Sequence, residues 1–130
     1  FPAEDAGRFR SELSEEQFRL LQGNLSDRDI LREARSMFAE NAVDRNRIGE
    51  LLNIHQDSLR DAKKVSTPKI NRMVEASLKA GALGAKINGS GGGGCMFAYA
   101  PNNPEAVAEA IEREGGKPYI IEVDEGTRVE

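Results

Sequence analysis

Seven of the chain's 13 glycines lie between Gly81 and Gly94, and Gly91 to Gly94 are consecutive. No other feature constrains the fold as strongly. Glycine loses more conformational freedom on folding than any other residue, and a tight hairpin needs only two such residues. A run of four is therefore reserved for backbone with φ > 0, or for close approach to a ligand or another layer. Gly89-Ser90-Gly91-Gly92-Gly93-Gly94 formally fits G-x-G-x-x-G, but a dinucleotide fingerprint follows a strand and opens a helix. Here the apolar run Cys95-Met96-Phe97-Ala98-Tyr99-Ala100 follows. A phosphate-binding P-loop needs Lys and Ser/Thr after its last glycine, where this chain has Cys95 and Met96. What remains is strand, glycine loop, strand, used for a ligand or as a close-packed turn.

The chain of 130 residues has room for one domain. With 38% hydrophobic and 31% charged residues, it is neither disordered nor membrane-like. One cysteine and one histidine exclude an internal disulfide and a Cys- or His-based metal cluster. A net charge of −4 argues against nucleic acid. No apolar run is long enough to span a bilayer, and a cytoplasmic location is expected. The first residue is Phe1 and no signal-peptide pattern follows, which suggests a processed or excised piece.

The period changes near Gly81. Residues 14–81 have helical signals. Ser14-Glu15-Glu16-Gln17 has capping-box spacing, and Gly23-Asn24 ends the first predicted helix. Ser26-Asp27-Arg28-Asp29 starts another, and Asp44 caps a third. Ile48, Leu51, Leu52, His55, Leu59 and Ala62 form one stripe on a long helix. Thr67-Pro68 is a cap with proline at the first helical position, and Gly81 closes that helix. Residues 84–130 alternate β, β, α, β. Gly84 to Asn88 and Cys95 to Ala100 are strands, Pro104 opens a helix closed by Gly115-Gly116, and Tyr119 to Val123 is a third strand. Thr127-Arg128-Val129 is an edge strand or tail. The expectation is a single α+β domain with helices on one face of a small antiparallel sheet.

The run Gly81-Ala82-Leu83-Gly84-Ala85-Lys86-Ile87-Asn88-Gly89-Ser90-Gly91-Gly92-Gly93-Gly94-Cys95 closely resembles the third motif of the GHMP kinases. Upstream, Gly49-Glu50-Leu51-Leu52-Asn53, Ser58-Leu59-Arg60-Asp61 and Val65-Ser66-Thr67-Pro68 resemble the matching stretch of the galactokinase branch. The resemblance spans about residues 45 to 130. It implies a ferredoxin-like C-terminal domain with added helices, packed against an N-terminal domain, with the active site between them. It also implies that Asn88, Gly89, Ser90, Gly91, Gly92, Gly93 and Gly94 face the substrate or the other domain's phosphate loop. Asn88 stands where relatives often have threonine, and Ser90 where alanine or glycine is common. Gln56 stands where galactokinases carry histidine.

The family's phosphate loop, of the type Pro-x-x-x-Gly-Leu-x-Ser-Ser-Ala, and its Gly-Glu-His substrate motif do not occur in this chain. The resemblance thus implies the C-terminal half of a sugar or small-molecule kinase, galactokinase-like before mevalonate- or heptose-type. ATP and Mg²⁺ would belong to the whole enzyme, and its own N-terminal domain would be the partner. No catalytic or metal-ligating residue is expected here, and the isolated chain is expected to be inactive. The rival class is a free-standing ferredoxin-like domain that binds a small ligand or regulates a partner.

The remaining candidates have plainer uses. His55 lies on an apolar stripe, where a satisfied core histidine is the default. Cys95 opens a buried-looking strand and is expected to be inert packing. Asn53, Gln56 and Arg60 share a helix face turned to a cleft or to solvent. Arg45, Arg47, Lys63, Lys64, Lys69 and Arg72 are interleaved with acids, as on a solvated surface.

Overall fold

A computed structural model describes residues 1–127. A short 3₁₀ helix over Ala3–Phe9 precedes α1 (Glu15–Ala39), α2 (Arg45–Asp57) and a π-helical turn, Ser58–Ala62. Then come α3 (Pro68–Lys79), β1 (Gly84–Asn88), β2 (Cys95–Tyr99) and α4 (Pro104–Arg113). The α+β class expected from the sequence is what the chain adopts.

The local signals work where the caps are self-contained. Ser14 Oγ accepts from Gln17 N while Gln17 Oε1 accepts from Ser14 N, completing the capping box. Asp44 caps α2 through Arg47 N. Thr67 Oγ1 accepts from Ile70 N, with Pro68 at the first position of α3. Gly81 and Gly115 follow helix ends with φ of +103° and +82°, as left-handed helix stops require.

Three expectations fail. The two predicted helices before Asp44 are one helix, α1. Gly23 does not stop it; a Cβ there would lie 2.8 Å from Ala62 Cβ and 3.2 Å from Ser58 Oγ, so the glycine admits the π-helical turn against α1. The long stripe ending at Ala62 is likewise two elements, α2 and the π-helical turn. Finally, Tyr119 to Val123 joins no ladder: the segment is irregular, and Ile121 and Val123 are exposed. Of the proposed edge strand or tail, Arg128 and Val129 lie outside the described residues.

Among the described residues the sheet has two antiparallel strands, with Lys86 opposite Phe97 and Ile87 opposite Met96. One face carries the core. Ala85 and Ile87 pack on Ile70, Met73 and Val74 of α3, with Met96, Ala98 and Ile111 joining. Lys86 and Phe97 share the opposite face, with Nζ 5.3 Å from the ring centroid. Along the outer edge of β1, Gly49 of α2 meets Leu83 and Gly84 backbone to backbone; a Cβ on Gly49 would collide with Leu83 C and Cβ. Two glycines, 49 and 84, thus set the spacing between helix and strand.

Candidate functional site

The loop between β1 and β2 rests on the segment that leads into α3. Gly92 N donates to Val65 O at 2.9 Å. A Cβ on Gly91 would lie 2.7 Å from both Val65 Cβ and Val65 O, and one on Gly93 would lie 3.4 Å from Thr67 Cγ2. Gly89, Gly91, Gly92 and Gly93 have φ of +76°, +85°, +77° and +101°, values that side-chain-bearing residues rarely adopt. Both uses of glycine therefore occur in one loop, and Gly91 combines them. The closest approach is at Gly91. At Gly89, Gly92 and Gly94 a Cβ would meet nothing within 4 Å, so those positions face open space. Asn88 and Ser90 are exposed beside them.

Lys86 is half-buried, and its Nζ donates to Ile87 O at 2.5 Å; burial holds its pKa below the usual lysine value. Among the described residues no group of three or more His, Cys, Asp or Glu side chains is placed to hold a metal ion. Gly92 N is already bonded to Val65 O, so a phosphate oxygen would have to be met by other N–H groups of the loop. The donor set does not suit Mg²⁺, which binds through carboxylates.

Asn53 and Gln56 face neither cleft nor solvent. Asn53 Oδ1 accepts from Ala85 N at 3.0 Å while its Nδ2 donates to Leu83 O at 3.2 Å. Gln56 Oε1 accepts from Ile87 N at 2.9 Å. Two side-chain amides one helical turn apart thus occupy the edge of β1 as a neighbouring strand would. Amides three residues apart within an apolar stripe were the available sequence signal. Arg60 does face solvent, paired with Asp57 at 3.0 Å and Asp61 at 2.8 Å.

His55 is half-buried, with Nε2 3.8 Å from Asp27 Oδ2; Lys63 Nζ is 2.5 Å from the same oxygen. Desolvation lowers the His55 pKa, opposed by the Asp27 charge. Cys95 corrects an expectation: it is exposed at the end of the glycine loop rather than buried in a strand. The sequence missed this because β2 is open on one side. A concavity of about 970 Å³ runs there between β2 and residues 117–123, with Phe38, Leu52 and Val107 in its apolar walls.

Comparison with known proteins places this architecture. The GHMP kinases C terminal family matches residues 38–117, well over half of the chain. The chain belongs to the GHMP kinase family. Mevalonate kinases of Thermococcus gammatolerans and Pyrococcus furiosus are each 53% identical over 85 residues, 65% of this chain and 25% of theirs. A galactokinase of Lactococcus lactis is 30% identical over 136 residues, covering 89% of this chain and 34% of its own. The crystal structure of the L. major mevalonate kinase in complex with R-mevalonate superposes with a TM-score of 0.59 at 27% identity. That match covers 85% of this chain and 32% of the kinase. The chain thus spans about a quarter of the length of the mevalonate kinases it matches. The galactokinase branch expected first is not confirmed: identity is higher to these mevalonate kinases than to the galactokinase. No helix among the described residues is long and apolar enough to cross a membrane.

Proposed function

We propose that this GHMP kinase C-terminal region serves an ATP-dependent kinase whose acceptor is mevalonate rather than a sugar. The observation that carries the acceptor is the 53% identity to two archaeal mevalonate kinases. In this reading Asn88 to Gly94 border the reacting groups, and the own N-terminal domain supplies the rest of the site.

Phosphoryl transfer needs positioning of two substrates and stabilisation of charge on the transferring group. When bound, ATP with Mg²⁺ supplies the phosphoryl group and much of the charge neutralisation. This chain's contribution is narrower. Loop N–H groups other than that of Gly92, which is bonded to Val65 O, would orient phosphate or acceptor oxygens. The absence of side chains at Gly89, Gly92 and Gly94 lets a ligand come within hydrogen-bonding distance of backbone. Neither a metal ligand nor a cation comes from the loop itself, so the chain alone is expected to be inactive. A cytoplasmic, small-molecule kinase is the whole-protein reading.

The 30% identity to a galactokinase across 89% of this chain supports sugar as the second reading. A coupled assay of the full-length protein with ATP separates the two. Turnover of R-mevalonate and none of galactose is expected. Galactose turnover alone would move the assignment to a sugar kinase, and turnover of neither would end the proposal.

A further inference from the structure

We infer that Gln56 is a positioning residue for the glycine loop, bridging the strand that enters the loop and the segment on which the loop rests. The inference rests on reading that loop as a border of the active site, and adds to it the side chain that fixes its place.

A loop with four glycines at φ > 0 has many conformations open to it, so its position must come from outside. One limb leaves β1 immediately after Ile87 and Asn88. The other is held on Val65 by the Gly92 N–H bond and by the tight fit of Gly91. Gln56 reaches both supports. Its Oε1 accepts from Ile87 N at 2.9 Å, and its Nε2 donates to Ser66 Oγ at 3.2 Å, one residue beyond Val65. Ser66 Oγ in turn donates to Asn71 Oδ1 at 2.6 Å, in the first turns of α3. The side chain is 2% exposed. At that burial, losing the two bonds leaves polar groups unpaired away from solvent. A filler of the same length could be apolar. Only a group with an acceptor at one side and a donor at the other joins an N–H to a hydroxyl whose proton is already committed.

The experiment uses the full-length protein and two readouts: hydrogen exchange over residues 88–95, and kcat and KM for ATP-dependent phosphorylation. Gln56→Met keeps length and packing but removes both bonds. Loop exchange should rise at least about tenfold. The kcat should fall on the order of a hundredfold, the cost of misplacing reacting groups by about 1 Å, with a smaller change in KM. Leu25→Ala, in the buried part of α1, is the stability control and should leave loop exchange and kcat unchanged below its melting temperature. Gln56→His restores an acceptor and a donor, so activity should return at pH 8. It should be lost again at a pH below the ordinary histidine value of about 6.5, which burial lowers, once the imidazolium can no longer accept from Ile87 N. Ser66→Ala cuts the same bridge at its half-buried end and should act in the same direction, more weakly, if Gln56→Met does not fold. Wild-type loop exchange in both Gln56→Met and Ser66→Ala would overturn the inference. So would a kcat loss matched by Leu25→Ala. Exchange needs no substrate, so a protein that phosphorylates neither mevalonate nor galactose would break the kinase reading while exchange still decided this one.

Discussion

β1 and β2 are equal in length and pair with each other, yet their outer edges are opposites. The edge of β1 is closed by α2: Asn53 and Gln56 take up its backbone groups, and Gly49 lets the two backbones touch. Because Ala85 and Ile87 donate toward α2, the pairs Ala85–Ala98 and Ile87–Met96 do not bond across the ladder. Met96 and Ala98 therefore point their backbone groups at the other edge, which opens on the apolar groove. The α2–β1–α3 layer satisfies itself. Among the described residues the β2 side presents an unpaired edge and exposed apolar residues, the features of a surface built to be covered. That contrast fits a chain spanning only part of its relatives' length.

The largest test of the closed side is Gly49→Ala. In an exposed helix this change gains up to about 1 kcal/mol in propensity. Here the new methyl would strike Leu83 backbone, which cannot rotate away. We expect a net loss of about 3 kcal/mol, the upper end for overpacking, read as a shift in the denaturant midpoint of unfolding. A neutral result would mean that α2 and β1 are not in backbone contact.

Gly91→Ala and Gly92→Ala separate the loop's two uses. Each pays about 1–2 kcal/mol for a left-handed alanine, but only Gly91→Ala also drives a methyl into Val65. Its thermal midpoint should fall further. Gly92→Val should instead impair kcat of the full-length enzyme with less effect on stability. Equal midpoint losses at 91 and 92 would remove the distinction. Asn53→Ala comes next: it orphans Ala85 N and Leu83 O together, at about 1–3 kcal/mol, seen as faster exchange of Ala85 N–H.

The sequence was legible wherever the controlling contacts are local. The caps at Ser14, Asp44 and Thr67 and the stops at Gly81 and Gly115 depend on residues within a turn, and each is where the pattern puts it. Gly23 misled because a glycine at a helix crossing and a glycine at a helix end look alike until the crossing partner, Ala62, is known. For the same reason Asn53 and Gln56 looked like surface or cleft residues: their backbone partners at β1 lie 30 to 32 residues away in sequence. The glycine loop itself was clear from composition, but which glycine is packed and which is open depends on Val65, which only folding brings near. Tyr119 to Val123 has the composition of a strand and no strand partner among the described residues, since propensity supplies no neighbour.

A smaller effect concerns pH. Burial lowers the His55 pKa in the folded chain, so below the ordinary histidine value of about 6.5 the unfolded chain binds the proton more readily. His55 should therefore cost stability as pH falls from 7 through that value toward its lowered folded pKa. Unfolding midpoints at pH 7.5 and 5.5 should differ less in His55→Gln than in the parent, and an unchanged difference would mean that Asp27 offsets the burial fully.

The smallest effect should come from the open side. Ile121 is 81% exposed and Val123 fully so, and removing an exposed apolar group usually changes stability by no more than about 0.5 kcal/mol. Ile121→Glu in this chain should therefore leave the unfolding midpoint nearly where it was, while Ile87→Ala, in the core face of β1, should lower it by about 2–5 kcal/mol. The pair measures the comparison directly, because both are isoleucines and differ in which side of the sheet they serve. A loss at Ile121 approaching that at Ile87 would mean that the segment after α4 is packed against β2 in solution. The asymmetry between the two edges would then disappear.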